Sequence, residues 1–141
     1  MTEIKVLLDL NIILDVVGKR EPHYLHSALV WKMIEKKEIE GYVSAHSFTT
    51  LHYLLRKHMG KREVNQAISN VMQVFSAAPV THNILLQALI LDWEDFEDAV
   101  QFVAAAQVNA GYLITRNVKD YKSSHLEILT PETFIKVFAL R

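Results

Sequence analysis

The chain has 141 residues, half of them hydrophobic, with only four glycines and three prolines. This length and composition predict one domain over residues 1–141 with a packed core, and they exclude a disordered chain. The net charge of −1 does not favour a protein that coats nucleic acid through its overall charge. The sequence contains no cysteine, which excludes disulfides and thiolate metal sites.

The cellular location is predicted from the same sequence. No apolar run approaches the roughly 20 residues that span a bilayer. The N-terminus, MTEIKVLLDL, does not have the pattern of a secretory signal. We therefore expect a cytoplasmic protein with no membrane partner.

Strands and helices alternate along the chain. The predicted elements are a buried strand at 4–8, helices at 11–17 and 22–37, a strand at 41–44, helices at 47–59 and 61–74, a connection at 76–81 that can include a short edge strand, helices at 82–91 and 95–109, strands at 112–115 and 126–129, and a last helix that starts at Pro131 after the capping residue Thr130. This order predicts the α/β class: a three-layer α/β/α sandwich with a mostly parallel central sheet of four or five strands.

Helical spacing of apolar residues predicts which faces of two helices point inward. The predicted inward residues are Leu25, Leu29, Met33 and Ile34 in the 22–37 helix, and Val64, Ile68, Val71 and Met72 in the 61–74 helix. The 47–59 helix carries more apolar residues than one buried stripe needs, namely Phe48, Leu51, Tyr53, Leu54 and Leu55. This excess predicts a surface for a homodimer.

Polar residues follow three of the predicted strands. Ligands of open α/β sheets bind beyond the carboxyl ends of the strands, so these residues are candidates for a site. They are Asp9 and Asn11 after the first strand, Ser44 and His46 after the second, and Arg116, Asn117 and Asp120 after the strand at 112–115.

The helix at 95–109 begins with acids, although from Ala99 onward it is apolar around nearly its whole circumference. Asp95 is expected to cap this helix. Asp98 lies at the edge of the buried segment, where a lone carboxylate is costly and needs a partner. A divalent cation shared with Asp9 would supply one. Mg²⁺ prefers such hard oxygen ligands, and a bound cation favours phosphodiester hydrolysis by lowering the pKa of the attacking water.

Four segments of the chain resemble the PIN-domain family, which includes the VapC-type toxins of toxin–antitoxin pairs. They are LLDLNIILD, YVSAHSFTTLHYLL, DFEDAVQFVAAAQVNAGYLITRNVKDY and LEILTPETF. The resemblance implies cleavage of RNA with Mg²⁺ or Mn²⁺ held by acidic side chains, and an antitoxin protein as a partner. The implied catalytic residues are Asp9, Asp98 and Asp120; the metal ligands are Asp9, Asp98, Asn117 and Asp120; the supporting residues are Asn11, Thr50 and Thr115.

Two positions depart from the family pattern. Thr50 stands where the family usually has a glutamate, and Asn117 stands where it usually has an aspartate. These departures favour a second hypothesis, in which a PIN fold with a weakened site serves as a protein- or RNA-binding module.

Two other kinds of site are less well supported by the residues. A phosphatase of the haloacid-dehalogenase kind would need a second aspartate where Asn11 stands. The histidines lack the cysteines or the His-Glu-x-x-His pattern of a zinc site. Among them, His46 follows a strand end and is a candidate for contact with the substrate.

Overall fold

A parallel sheet of five strands forms the centre of the molecule. The computed structural model describes residues 3–122 and 126–140. The strands are β1 (Lys5–Leu8), β2 (Glu40–Ser44), β3 (Ser76–Ala78), β4 (Tyr112–Ile114) and β5 (Glu127–Leu129), and they lie in the order β3-β2-β1-β4-β5. Each pair of neighbours is parallel, so all five carboxyl ends lie along one edge of the sheet.

Helices cover both faces of this sheet. In the described residues they are α1 (Leu10–Val17), α2 (Tyr24–Glu35), α3 (Ala45–Arg56), α4 (Lys61–Val74), α5 (His82–Leu91), α6 (Phe96–Gln107) and α7 (Pro131–Ala139), with a short 3₁₀ turn at Val118–Asp120. Side chains alternate between the faces of β1: Val6 and Leu8 pack with α1 to α4 and α7, whereas Leu7 packs with α5 and α6. The predicted three-layer α/β/α sandwich is confirmed, with a sheet that is entirely parallel.

The predicted element bounds differ from the observed ones by no more than three residues. Helices α4 and α5 have the predicted bounds. Asp95 and Thr130 cap α6 and α7 as predicted, by accepting hydrogen bonds from the backbone N–H groups of Asp98 and Thr133. The part of the chain that the structure describes contains no helix long and apolar enough to cross a membrane.

The predicted inward face of α2 is wrong for Leu25 and Leu29, whereas Ile34 is buried and Met33 packs against the core as predicted. Leu25 and Leu29 are 60% and 41% exposed, and the buried residues are Ser27, Val30 and Ile34. The cause is Asp15 in α1, which is fully buried and lies 3.4 Å from the Ser27 hydroxyl. A buried carboxylate needs hydrogen-bond donors, so the Ser27 side of α2 faces α1.

Two further predictions about apolar surfaces are corrected. Met72 is 56% exposed because α4 packs along one narrow stripe around Val64 and Val71. Phe48, Leu51 and Leu55 are buried in the protein's own core, so most of the apolar string of α3 leaves no surplus surface for a second copy.

The strand order fixes where a ligand can bind. From β1 the chain builds outward to β2 and β3, and it then crosses to the opposite side to form β4 and β5. Ligands of such sheets bind at the crevice where this reversal occurs, which here lies between the carboxyl ends of β1 and β4. Asp9 follows β1 and Thr115 follows β4, so both stand at this crevice.

Candidate active site

Asp9 is held in one orientation at the end of β1. Its backbone N–H donates to the carbonyl oxygen of Ile114, which continues the β1–β4 pairing by one residue. Its carboxylate caps α1, with Oδ1 accepting from the backbone N–H of Asn11 at 3.3 Å. The hydroxyl of Thr115 donates to Oδ2 at 2.8 Å. These bonds explain why a carboxylate that is only 6% exposed is tolerated at this position.

Strand alternation aims Asp9 and Thr115 at α6. Leu7 and Leu113 face the α5–α6 side of the sheet, and the residues two positions later, Asp9 and Thr115, face the same side. There the buried middle of helix α6 presents Gln101, whose Nε2 atom lies 3.5 Å from Asp9 Oδ1.

A chain of polar groups joins Asp9 to Asp98. Gln101 Nε2 also donates to the phenol oxygen of Tyr121 at 3.2 Å, and the Tyr121 hydroxyl donates to Asp98 Oδ1 at 3.2 Å. Asp98 is half-buried in the first turn of α6. The structure thus brings Asp9, Asp98 and Thr115 to one place. Asp9 and Thr115, which share a hydrogen bond, are 106 positions apart in the sequence.

Negative charge accumulates at this place. Burial, together with the charges of Asp95, Asp9 and Asp120, raises the pKa of Asp98 to about 6, against the opposing effect of the Tyr121 hydrogen bond. Burial and the charges of Asp9, Asp98 and Asp95 raise the pKa of Tyr121, so its hydroxyl keeps its proton and remains a donor. The neighbouring carboxylates make Asp98 harder to ionise. A bound cation would offset this repulsion and stabilise the cluster.

The contribution of Asp98 to the free energy of unfolding of the metal-free protein is expected to fall as the pH rises from about 4 to about 6. Between the ordinary pKa of 3.8 and the raised value of about 6, the folded state holds a proton on Asp98 that the unfolded state has released. Stability falls with pH wherever the folded state binds more protons. The measurement is urea unfolding across this range in chelator, with Asp98→Asn as the control. The difference between wild type and variant should grow with pH; a constant difference would contradict the shift.

The donor set suits a hard divalent cation. Gln101 Oε1 is buried beside these carboxylates and has no hydrogen-bond partner in the described part of the chain, which is uncommon for a buried acceptor. Within residues 3–122 and 126–140, no three acidic or histidine side chains lie close enough to ligate one ion together. Two carboxylates with amide oxygens and water are sufficient for Mg²⁺, which keeps several of its waters. The residues present therefore fit Mg²⁺ or Mn²⁺ as an ion held mainly by Asp9 and Asp98.

The other predicted site residues lie around this centre without joining it directly. The side chains of Asn117 and Asp120 are exposed, on the segment that leaves β4 through the 3₁₀ turn. Asn11 acts through its backbone N–H, which is bonded to Asp9. The hydroxyl of Thr50, near the middle of α3, donates to the carbonyl oxygen of His46 at 3.3 Å. Their predicted roles as ligands or supporting residues stay predictions.

His46 is a candidate that the structure makes more distinctive. Both nitrogens of its ring are buried and lack hydrogen-bond partners among the described residues. Burial lowers the pKa of His46, opposed by the charge of Glu97. The ring is therefore neutral at physiological pH, and its contact with a substrate stays a prediction.

Comparison with known proteins identifies the family. A family model described as PIN domain matches residues 5–119. The chain belongs to the PIN-domain family. The matched residues of this PIN domain include Asp9, Thr50, Asp98 and Thr115, and they end one residue before Asp120. The resemblance expected from the sequence is confirmed.

Individual proteins similar to this PIN domain cover nearly all of its length. Ribonuclease VapC1 of Aquifex aeolicus (strain VF5) is 28% identical over 138 residues, which are 95% of each chain. The structure of VapBC2 from Rickettsia felis bound to a promoter DNA fragment matches with a TM-score of 0.68 and 16% identity, covering 89% of this chain and 97% of that one. Mycobacterium tuberculosis VapC20, a Sarcin-Ricin loop cleaving toxin, matches with a TM-score of 0.62 and 16% identity, covering 77% and 86%.

Sequence reasoning missed Gln101 and Tyr121, which connect the two acids of this PIN domain. One signal was available for Gln101. It is the one strongly polar side chain between Ala99 and Ala105, a segment that is buried throughout. A buried amide needs partners, and the nearest acids in the sequence were already candidates. No comparable signal marked Tyr121, because its contact with Asp98 depends on the path of the chain after β4.

Proposed function

We propose that this PIN domain is a metal-dependent endoribonuclease that hydrolyses RNA phosphodiester bonds. The observation that carries the proposal is the pairing of Asp9 and Asp98 through Gln101 and Tyr121 at the crevice between β1 and β4. The name of the relative from Aquifex aeolicus, a ribonuclease, supports the substrate class.

The chain's own residues orient the catalytic acids in this proposal. Asp9 and Asp98 would hold the cation, with Asp120 as a third catalytic acid and Asn117 as a neutral oxygen ligand. A bound Mg²⁺ or Mn²⁺ stabilises charge that develops on the phosphate and lowers the pKa of the attacking water. Thr115 fixes the Asp9 carboxylate through its 2.8 Å bond, and Tyr121 fixes Asp98. A carboxylate that is already oriented needs no reorganisation when RNA and metal bind.

Cleavage of labelled RNA by the purified protein tests this proposal. Product should form with Mg²⁺ or Mn²⁺ and not with excess chelator, and restoring the metal should restore the activity. Single-stranded DNA of the same sequence is the control for the substrate class. Cleavage that continues unchanged in chelator would show that the reaction does not need the metal.

A partner protein belongs to the same proposal. Structural neighbours include a toxin–antitoxin complex from Klebsiella pneumoniae and the VapBC2 complex of Rickettsia felis. We infer that this chain is the toxin of such a pair, inhibited by an antitoxin. The alternative, which was motivated by the departures at Thr50 and Asn117, is a binding module that retains the fold. RNA that is bound but never cut, at any Mg²⁺ or Mn²⁺ concentration, would decide for the alternative.

Self-association is expected through α5. This helix and the start of α6 expose six large apolar side chains: Leu85, Leu86, Leu89, Ile90, Leu91 and Phe96. The α5 sequence, HNILLQALIL, contains no Asp, Glu, Lys or Arg, so two copies would meet without like-charge repulsion. A second copy is the occupant that we propose for this surface. Light scattering should give a dimer mass for the wild type and a monomer mass for Ile90→Asp, whose wild-type side chain is 81% exposed. A monomeric wild type, with or without a bound antitoxin, would contradict the dimer.

A further inference from the structure

A cavity opens at the carboxyl edge of the sheet, on the face opposite α6. It has a volume of about 360 Å³ and lies between the start of α2, the start of α7 and the residue after Thr115. Its lining includes Arg116, His23, His26, Ser27 and Thr130. Nothing in the acidic centre around Asp9 uses these residues.

Arg116 is fixed at the wall of this cavity by a buried acid. Its Nε atom lies 3.2 Å from Oδ2 of Asp15, whose side chain is fully buried. The Arg116 side chain is only 28% exposed. Among the described residues its Nε atom has no aligned hydrogen-bond partner, so the contact with Asp15 is an ion pair only, and the guanidinium carries further donors on its two terminal nitrogens. The side chain is therefore held from one side with its planar donor end available.

The cluster carries one positive charge more than Asp15 needs. Arg20 also pairs with Asp15, with its Nη2 atom 3.1 Å from Oδ1. One carboxylate thus faces two guanidinium groups, and the Ser27 hydroxyl supplies a further donor. Glu132, the acid that lines the cavity, has its own partner in Lys136 at 3.4 Å. A single anion would balance this cluster.

Strand alternation places the cavity directly beside the acidic centre. Thr115 faces α6 and bonds to Asp9, so the next residue, Arg116, faces α1 and α2. The two sites therefore lie on opposite faces of the sheet at the same carboxyl edge, on side chains of consecutive residues. If an RNA strand places one phosphate at Asp9 and crosses the edge of the sheet, the next phosphate of its backbone would lie at this cavity.

We propose that the cavity binds a backbone phosphate of the RNA next to the bond that is cut, with Arg116 as its main ligand. The inference rests on the proposed ribonuclease function and names a part of the substrate site. The terminal nitrogens of Arg116 match two phosphate oxygens in geometry. The N-terminus of α7, capped by Thr130, adds a favourable dipole for the same anion.

Arg20 offers a matched control for this proposal. Arg116→Gln and Arg20→Gln each remove one positive charge that pairs with Asp15, but only Arg116 lines the cavity. The probe is a short fluorescent single-stranded RNA, measured by anisotropy in chelator, where no metal-dependent cleavage can occur. The Kd is recorded over a series of NaCl concentrations.

Arg116→Gln should weaken RNA binding by roughly tenfold, the scale of one charged hydrogen bond. It should also reduce the slope of log Kd against log salt by about 0.7, the value for one phosphate contact on a single strand. Arg20→Gln should change both quantities less. Equal effects of the two variants, or an unchanged slope in Arg116→Gln, would overturn the proposal, since Arg116 would then act only as a partner of Asp15.

A second pair of variants tests the proposal in case Arg116→Gln alone does not fold. Removal of Arg116 leaves the buried Asp15 with one partner fewer, which is destabilising. Asp15→Asn with Arg116→Gln avoids the unpaired charge, and Asp15→Asn with Arg20→Gln is its control. The same difference in slope is expected between these two proteins. RNA binding is measured without metal and is therefore independent of cleavage. If the wild type cuts RNA but the two double variants have the same slope of log Kd against log salt, the phosphate site is wrong and the proposed ribonuclease function stands.

Discussion

Asp9→Asn and Asp98→Asn should each lower the rate of RNA cleavage by at least about tenfold. Asparagine keeps the size of the side chain and can still cap α1 at position 9, so the fold should survive. What is lost is the negative charge that the proposed cation needs at the crevice between β1 and β4. The measurement is initial cleavage rate at saturating Mn²⁺, together with a melting curve for each variant.

Asp92→Asn is the matched control for these two variants. Asp92 is an exposed carboxylate that ends α5 with a positive φ of 54°, a conformation that asparagine also adopts well. The same change of chemistry outside the polar chain should leave the cleavage rate unaltered. If both Asp9→Asn and Asp98→Asn cut RNA as fast as Asp92→Asn, the proposed metal site would be wrong.

Thr50→Glu should tighten Mn²⁺ or Mg²⁺ binding by roughly 10- to 100-fold, if Thr50 faces the pocket of Asp9 and Asp98 as the family resemblance implies. A hydroxyl offers a neutral oxygen, and here its proton is used in a bond to the His46 carbonyl. A carboxylate at this position would contribute a full negative charge to a hard cation. Without metal, the added charge should destabilise the protein, because clustered carboxylates repel one another.

Thr49→Glu is the control, since the neighbouring residue differs mainly in its direction. The Thr49 side chain is exposed and its hydroxyl donates to the same carbonyl oxygen at 2.7 Å. Melting curves with and without Mn²⁺ compare the two variants with wild type. A metal-induced rise in melting temperature that is no larger for Thr50→Glu than for Thr49→Glu would mean that Thr50 does not face the site.

The fold was predictable because its signals are local. Short apolar runs and helical spacing identify the strands and helices, and caps such as Thr81 and Thr130 define where helices begin. The inward side of α2 was not predictable in the same way. Leu25 and Leu29 compete with Val30 and Ile34 for the core, and the outcome depends on Asp15, a buried acid in another helix.

The candidate site was predictable where its signals are local and not where it depends on packing between elements. Asp9 could be anticipated because carboxyl ends of parallel strands share an edge, and Asp98 because an acid beside an apolar helix needs a partner, whereas Thr115 was implied only by the family resemblance. The connection between them through Gln101 and Tyr121 depends on how α6 packs across β1 and β4. That packing has no signature in spacing alone, and the same holds for the pairing of Arg116 with Asp15.

The position of β1 in the middle of the sheet has a consequence for protein synthesis. β1 is made first, but its β4 neighbour and the Thr115 hydroxyl that holds Asp9 come 106 positions later. A ribosome-bound chain that has not yet released β4 cannot hold Asp9 in this orientation, whatever α1 to α4 have formed by then. The candidate site of a nascent copy is therefore incomplete until translation of the domain is nearly finished.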